Sequence, residues 1–461
     1  MRFLLASFLT VALAHALRAA ELTAGAAAVD ITPPSGCPMA GYYSARGAEG
    51  THDPLLAKVI VFEKDGTRVA LVSLDLIGTT RGLVEESRTL IEKQTGIPGK
   101  NVMISATHSH TGPVLWDGSP RADVLGGGQQ IARDYVKELP NKIAEAVKRA
   151  DAARKPAKVL FGTGKEEGLA FNRRFHMIDG SVGWNPGKKN PNIVRPAGPT
   201  DPSVPVVSIE TADGRPIALY VNFAMHLDTV GGLYYSADYP FTLSRCLAAV
   251  KGDEMVTVFT TGTCGDINHI NVDDSRPQKG HGEAARIGTR LSAEVLRTLD
   301  RVQPAVVGPL RVSSEMVELP LAPVTPEELA AAKLVIADVQ AGKKPAPRFL
   351  DQVQAFKAVD VSSRLGKPLA VEVQVISLGD DLAWVSLPGE IFVELGLAIK
   401  AGSPFRQTMI AELANGSIGY IPTRVAYSQG NYEVVSARCA EGSGEKLVDV
   451  SLRLLRGQFK R

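Results

Sequence analysis

The sequence predicts an α/β fold in which mixed, layered sheets are flanked by helices. Segments with the two-residue period of strands alternate with segments of helical period, and turn signals separate them. The composition is globular, with 44% hydrophobic and 22% charged residues, and 461 residues are enough to bury a large core. We expect one large domain that starts after residue 20, with a soft subdivision near residue 305.

Strand and helix patterns alternate regularly in the first part of the chain. Two strands flank the turn Lys64-Asp65-Gly66, and a polar stretch at residues 172–205 is long enough to be a functional loop. The predicted strands are residues 57–62, 68–74, 101–106, 158–162, 217–223 and 255–261, and the predicted helices are residues 82–94, 131–150, 241–250 and 282–299.

The pattern changes after Pro304. A helix begins at Thr325-Pro326-Glu327-Glu328, where a capping residue precedes proline and two acids, and a loose segment follows at residues 342–347. The remaining predicted elements are strands at residues 308–319, 369–378 and 382–386 and a helix at residues 390–400.

The first twenty residues resemble a secretory signal peptide. A basic start precedes an apolar run at residues 3–13, and small residues follow it. A membrane anchor is the alternative, but it needs about 20 apolar residues, and His15 and Arg18 interrupt the run. We therefore expect a cleaved leader and a secreted or periplasmic protein.

The charge and cysteine content restrict the possible partners. A net charge of +2 without a basic run excludes an electrostatic surface for nucleic acid, and no other segment is long and apolar enough to span a bilayer. Disulfides are not needed for folding at this length, and the four cysteines allow three full pairings between which the sequence does not choose. The oligomeric state also stays open. We expect a pocket for a small-molecule or lipid substrate.

Two histidines follow a buried strand, where α/β folds place ligand sites. The strand at residues 101–106 leads into Thr107-His108-Ser109-His110, and residues two apart on an extended segment share a face. Imidazole is a common zinc ligand and also moves protons near neutral pH. The run predicts either a metal site with an adjacent proton carrier or a purely structural turn.

Three further segments carry candidate chemistry. His226 follows an apolar strand, as His108 does, and Gly265-Asp266 follows another, with a glycine that lets a ligand approach the backbone. Glu390 lies at the predicted start of a helix, where the dipole favours an ionised carboxylate. A structural role is the alternative for each of them.

These residues belong to a longer ordered set through which the chain resembles the catalytic domain of the neutral ceramidases. In that family, secreted or membrane-associated zinc amidases cleave the N-acyl bond of ceramide. The matching segments are residues 24–34, Met39-Ala40-Gly41-Tyr42, Gly50-Thr51-His52, residues 106–113, Phe171-Asn172-Arg173-Arg174, residues 222–226, Cys264-Gly265-Asp266, Pro388-Gly389-Glu390 and Gly419-Tyr420.

The resemblance implies roles for eight residues. It implies a zinc ion as the cofactor and a neutral-ceramidase-like catalytic fold. The implied zinc ligands are His108, His226, Glu390 and Tyr420. The implied catalytic or substrate-side residues are His110, Arg173, Asn268 and Tyr432.

Two departures from the family bear on substrate and mechanism. Where the family has a catalytic serine after the Gly-Asp turn, this chain has Asn268 or its neighbour, so attack by a metal-activated water becomes the expected mechanism. The C-terminal β-sandwich domain of the ceramidases is not expected here. The leading hypothesis is a zinc amidohydrolase acting on a ceramide-like N-acyl amide. The alternatives are a zinc esterase or amidase with another substrate and an inactive ligand-binding relative.

Overall fold

The structure is a computed structural model that describes residues 21–343 and 346–459. The predicted signal peptide lies outside the described residues, as do two positions of the predicted loose segment at residues 342–347.

The strands fall into two groups along the chain. Those before residue 300 are β1 (Thr23–Asp30), β2 (Gly50–Thr51), β3 (Leu56–Lys64), β4 (Thr67–Leu74), β5 (Val102–Ala106), β6 (Lys155–Lys165), β7 (Phe171–Asn172), β8 (Arg174–Met177), β9 (Val182–Trp184), β10 (Ile193–Pro196), β11 (Ser203–Thr211), β12 (Pro216–Phe223), β13 (Tyr234–Tyr235), β14 (Val256–Thr261) and β15 (Ile267–Asn268). Those after it are β16 (Gln303–Pro304), β17 (Leu310–Leu319), β18 (Leu369–Leu378), β19 (Leu382–Ser386), β20 (Glu390–Ile391), β21 (Gln407–Ala411) and β22 (Tyr420–Ile421).

The helices separate and cover these strands. They are α1 (Arg81–Thr95), α2 (Pro120–Val124), α3 (Gln130–Ala152), α4 (Tyr239–Lys251), α5 (His281–Leu299), α6 (Pro326–Gln340), α7 (Phe349–Ser362), α8 (Val393–Gly402), α9 (Arg424–Gln429), α10 (Tyr432–Ser436) and α11 (Ser443–Phe459), with a short 3₁₀ turn at Gly99–Asn101.

The larger sheet is mixed and curls on itself. Its order is β14-β12-β11-β6-β1-β3-β4-β5, with β16 added beside β6, and only the pairs β4–β5 and β12–β14 are parallel. These two parallel pairs form opposite edges of the sheet, yet Ser73 of β4 donates a hydrogen bond to the carbonyl of Phe259 in β14. Beyond the strand ends, Thr261 Oγ1 donates to the carbonyl of Thr107 over 2.6 Å. The curl therefore brings the ends of both parallel pairs together.

A second sheet, in the order β17-β18-β19-β21, packs against the first. Its pair β19–β21 is parallel. One apolar cluster joins Phe62 and Tyr220 of the large sheet to Ile376, Trp384 and Met409 of the small one. The two sheets therefore share a core, and the change of sheet falls between β16 and β17, around residue 305.

The α/β class predicted from the sequence is confirmed, and so are most of its elements. The hairpin of β3 and β4 turns at Asp65 and Gly66, which both have positive φ, as the turn chemistry predicts. The sequence reasoning missed the alanine- and glycine-rich β1, the helix α7, the short helices α9 and α10 and the longer helix α11.

Two predicted elements were wrong in detail. The polar stretch at residues 172–205 is not one loop, because it contains the short strands β7 to β10 and the start of β11. The predicted helix at residues 390–400 begins only at Val393, and Glu390 instead lies in β20, where it pairs with Tyr420 of β22. Tertiary pairing overrides the helix-start pattern at this point.

The described chain has neither a membrane-spanning helix nor a disulfide. Within residues 21–343 and 346–459, no helix combines the length and the apolar character needed to cross a bilayer. All four cysteines are free: Cys37, Cys246, Cys264 and Cys439.

Candidate metal centre

The three parallel strand pairs end at one place and carry the candidate ligands there. His108 follows β5, His226 follows β12, and the segments with Glu390 and Tyr420 follow β19 and β21. Carboxyl ends of parallel strands are where α/β sheets bind ligands. The four predicted zinc ligands therefore converge although the chain separates them by more than 300 positions.

His108 has a backbone conformation that β-strands do not use. Its φ is +76°, in the left-handed region, which costs most residues energy and is found more often at functional sites. Its Nδ1 donates to the carbonyl of Ile77 over 2.7 Å. The turn and this hydrogen bond together orient Nε2 toward the other candidate ligands.

The side-chain atoms of three candidate ligands meet at one carboxylate oxygen. His226 Nε2 lies 3.2 Å from Glu390 Oε2, and His108 Nε2 lies 3.4 Å from the same oxygen. His226 Nδ1 donates to the carbonyl of Cys264 over 2.7 Å. Both imidazoles donate a hydrogen bond from Nδ1 to a backbone carbonyl. The lone pair of each ring therefore lies on Nε2, which is left to bind a metal ion.

The protonation equilibria of these groups are strongly perturbed. Burial lowers the pKa of His226 to about 3, so its imidazole is neutral near pH 7. For His108, burial alone would lower the pKa. The Glu390 carboxylate and weaker neighbours act in the opposite direction, and the pKa of His108 is raised. Burial raises the pKa of Glu390, yet His108 and then His226 bring it well below its ordinary value. Glu390 is therefore ionised, as a metal ligand must be.

The donor set fits zinc. In a tetrahedral site with bonds of about 2.0–2.1 Å, neighbouring ligand atoms lie roughly 3.3–3.4 Å apart. The separations of 3.2 and 3.4 Å from Glu390 Oε2 match that spacing. Two imidazoles and one carboxylate are also a donor set that zinc prefers.

Tyr420, the fourth predicted ligand, lies beside this cluster together with Arg173. The Tyr420 ring lies nearly parallel to the His226 ring, with centroids 6.4 Å apart. Its Oη accepts a hydrogen bond of 3.0 Å from Arg173 Nη2. Burial raises the pKa of Tyr420 well above its ordinary value, against the effect of Arg173. Without a metal the phenol is therefore protonated.

A carboxylate that the sequence reasoning missed holds Arg173 in place. Glu433 is fully buried and binds Arg173 Nε and Arg174 Nη1, both over 2.8 Å. Arg173 Nη2 also donates to the carbonyl of Gly265 over 2.6 Å. A single glutamate in a short helix carries no sequence signal of its own, so only the structure identifies this residue.

His110 lies as close to His108 as Glu390 does. Its Nε2 is 3.3 Å from His108 Nε2, and its Nδ1 lies 3.7 Å from Asp228 Oδ1, which accepts a 2.6 Å hydrogen bond from Tyr42. Nδ1 itself is buried and makes no hydrogen bond with any described residue. Three imidazoles, of His108, His110 and His226, thus cluster where a metal ion could bind.

The other two predicted catalytic residues differ in position. Tyr432 begins α10 and lies with its ring centroid 5.3 Å from that of Tyr420, at the edge of the site. Asn268 donates from Nδ2 to Asn185 Oδ1 and accepts from the Ile270 amide, each over 3.0 Å. Its side chain thus fixes a loop, and these hydrogen bonds do not reach the imidazole cluster.

The cluster opens into a cavity of about 740 Å³, within the range of small-molecule sites. His108, His110, Glu390 and Tyr420 line its inner end, and Tyr432 lines it as well. Residues from the loop around α2 and from the end of α7 form part of the remaining wall. The centre is therefore accessible to a substrate of moderate size.

The fold and this centre define the class: an α/β protein with a histidine- and carboxylate-based candidate metal site at the ends of parallel strands. Comparison with known proteins is consistent with this description. Residues 22–230 match the family described as neutral/alkaline non-lysosomal ceramidase, N-terminal. The predicted resemblance to this family is confirmed.

Individual relatives are similar over longer stretches. The neutral ceramidase of Pseudomonas aeruginosa is 24% identical over 86% of this chain, and the match spans 66% of that protein. Its crystal structure superimposes with a TM-score of 0.76 at 21% identity, covering 96% of this chain and 75% of that one. The structure of a ceramidase complexed with C2 superimposes with a TM-score of 0.73 at 19% identity, covering 95% of this chain and 76% of that one. These structures share the fold.

Proposed function

We propose that this protein is a zinc-dependent amidohydrolase that cleaves an N-acyl amide of the ceramide type. The observation that carries the proposal is the approach of His108 Nε2 and His226 Nε2 to one oxygen of Glu390, at 3.4 and 3.2 Å. The family match and the name of the P. aeruginosa relative make ceramide the first substrate to test.

Zinc would be held by His108, His226, Glu390 and Tyr420, and when bound it supplies Lewis-acid polarisation and makes water nucleophilic near neutral pH. The side chains around it orient the substrate. Arg173 uses Nε and Nη2 for its protein partners, which leaves Nη1 to donate to a carbonyl oxygen as negative charge develops.

His110 completes the proposed machinery. Burial lowers its pKa to about 4, so it is neutral near pH 7 and can accept a proton. The Asp228 carboxylate, 3.7 Å from His110 Nδ1, would stabilise the imidazolium that forms. Asn268 lacks a hydroxyl, so no acyl-enzyme at this position is part of the proposal.

Metal analysis and chelation test this function. We expect about one zinc ion per chain in the purified protein, and hydrolysis of a fluorescent N-acyl sphingosine that stops with 1,10-phenanthroline and returns with added zinc. Plasma mass spectrometry and product release measure the two quantities. Unchanged turnover in zinc-free protein would contradict the proposal. Turnover of carboxylic esters alone would favour the esterase, and binding without turnover would favour an inactive relative.

We also propose that the protein is exported, because the first twenty residues have the pattern of a cleaved leader. Expression of the full chain in a Gram-negative host should place the protein in the periplasm or the medium. Its intact mass should lack about twenty N-terminal residues. A cytoplasmic protein of full mass would show that the segment is not a leader.

A further inference from the structure

Three arginines and three carboxylic acids line the cavity that leads to the candidate metal centre, but only one of these arginines forms an ion pair with a described residue. Arg121, Arg364 and Arg438 line it. Asp360 pairs with Arg438, whose Nε lies 3.1 Å from Oδ2. Among the described residues, neither Arg121 nor Arg364 has a carboxylate within ion-pair distance. Of the other two acids of the wall, Asp117 accepts from the backbone amide of Ser119 at 2.9 Å, and Glu390 faces the imidazoles of His108 and His226.

Arg121 is held in place by an aromatic ring. Its guanidinium carbon lies 4.9 Å from the centre of the Tyr43 ring, a cation–π contact that orients the group without using its N–H donors. The Arg121 side chain makes no hydrogen bond within the part of the chain that the structure describes. Its donors are therefore available to a ligand in the cavity.

Arg364 lies at the mouth of the same cavity, just beyond α7. Burial and the like charge of Arg438 lower the pKa of Arg364. A cation near another cation is stabilised by an anion that contacts it. An anionic ligand would relieve this repulsion.

The arginine-rich wall is close to the proposed reaction site. Arg438 packs against the backbone of Gly419, where a Cβ would lie 2.6 Å from Nη1, and Tyr420 is the next residue. Gly419 also has a φ of +82°, which favours glycine. Tyr420 and the arginines line one continuous cavity of about 740 Å³. A substrate in it can reach both.

We propose that the substrate is an N-acyl amide with an anionic group, either a carboxylate or a phosphate, which Arg121 and Arg364 bind. This inference rests on the proposed amidase function, because it assigns the specificity of the same site. Uncharged ceramide would leave the partly buried Arg121 guanidinium without a partner where the substrate displaces its water, which costs binding energy. Arg364 is exposed and adds electrostatic attraction for an anion. Arg121 and Arg364 are thus specificity-determining residues.

Binding of uncleavable sulfonamides tests the inference without relying on turnover. The probes are N-octylsulfonylglycine, its uncharged ethanolamine analogue and the phosphate monoester of that analogue, titrated by calorimetry into the zinc-loaded protein. Arg121→Gln and Arg364→Gln remove one cation each. Arg215→Gln is the matched control, because Arg215 has a side chain that is 73% exposed, pairs with Asp213 and lies just before β12, far along the chain from the arginines of the cavity.

We expect at least one anionic probe to bind about tenfold to a hundredfold more tightly than the uncharged one, as for hydrogen bonds to charged groups. Either cavity substitution should reduce this preference to threefold or less, and Arg215→Gln should leave it unchanged. The anionic probe that binds more tightly shows whether the site prefers a carboxylate or a phosphate. Equal binding of all probes, or a preference that survives Arg121→Gln and Arg364→Gln, overturns the inference. If the anionic preference holds but no N-acyl amide is cleaved, only the proposed function fails.

Discussion

Replacing His226 by alanine is expected to remove bound zinc and to lower hydrolysis by more than about a hundredfold, since even outer-shell changes at metal sites cost 10- to 100-fold. The imidazole is buried, and its two nitrogens contact the Cys264 carbonyl and Glu390. Alanine supplies no donor and leaves the Glu390 carboxylate without one of its imidazole partners. Zinc content and kcat/KM measure the effect.

A matched control is available for this substitution. His176→Ala changes a half-buried histidine of β8 that lies outside the cluster and should leave both readouts intact. His110→Ala resolves the role of the third imidazole. If the variant keeps its zinc but loses hydrolysis, His110 has the substrate-side role. If it loses both zinc and hydrolysis, His110 is a ligand. Full zinc occupancy in His226→Ala would rule out His226 as a ligand.

Glu433→Gln is expected to lower the free energy of unfolding by about 3–5 kcal/mol, the range for removing one partner of a buried ion pair. The Glu433 side chain is 0% exposed, and those of Arg173 and Arg174 are 6% and 2% exposed. Glutamine keeps the shape but leaves two buried positive charges without a carboxylate. Chemical denaturation followed by circular dichroism measures the change.

This substitution should also reduce hydrolysis, because Glu433 positions Arg173 beside Tyr420. The control is Glu441→Gln, which removes an exposed carboxylate 3.6 Å from Arg424, and surface pairs of this kind contribute about 0–1 kcal/mol. If Glu433→Gln is no more destabilising than Glu441→Gln, the buried pair does not support the site.

Three segments carry the candidate histidine and carboxylate ligands. Local sequence patterns were sufficient to locate the two that carry histidines. His108 and His226 each follow a continuous apolar strand, and the position at a strand end already indicates a ligand edge. Glu390 was recognised as a candidate, but in the wrong element, because Pro-Gly-Glu before an apolar run resembles a helix start. Its bridge to Tyr420 depends on a strand pair that no local pattern encodes.

Tyr420 was identified only through the family resemblance, since a tyrosine after a glycine carries no metal signal of its own. Glu433 and the arginine-rich wall were not identified at all. Arg121, Arg364 and Arg438 lie in separate segments, and only folding brings them to one cavity.

The sequence by itself determined the α/β class, most of the strands and helices, and the two candidate histidines His108 and His226, because hydrophobic period and strand-end chemistry are local properties. The tertiary structure alone decided that the edges of the large sheet meet, that Glu390 Oε2 lies within 3.4 Å of two imidazoles, and that Glu433 pairs with both Arg173 and Arg174. These contacts join residues distant in the chain, so they depend on sheet curvature and shared packing, which no single segment specifies.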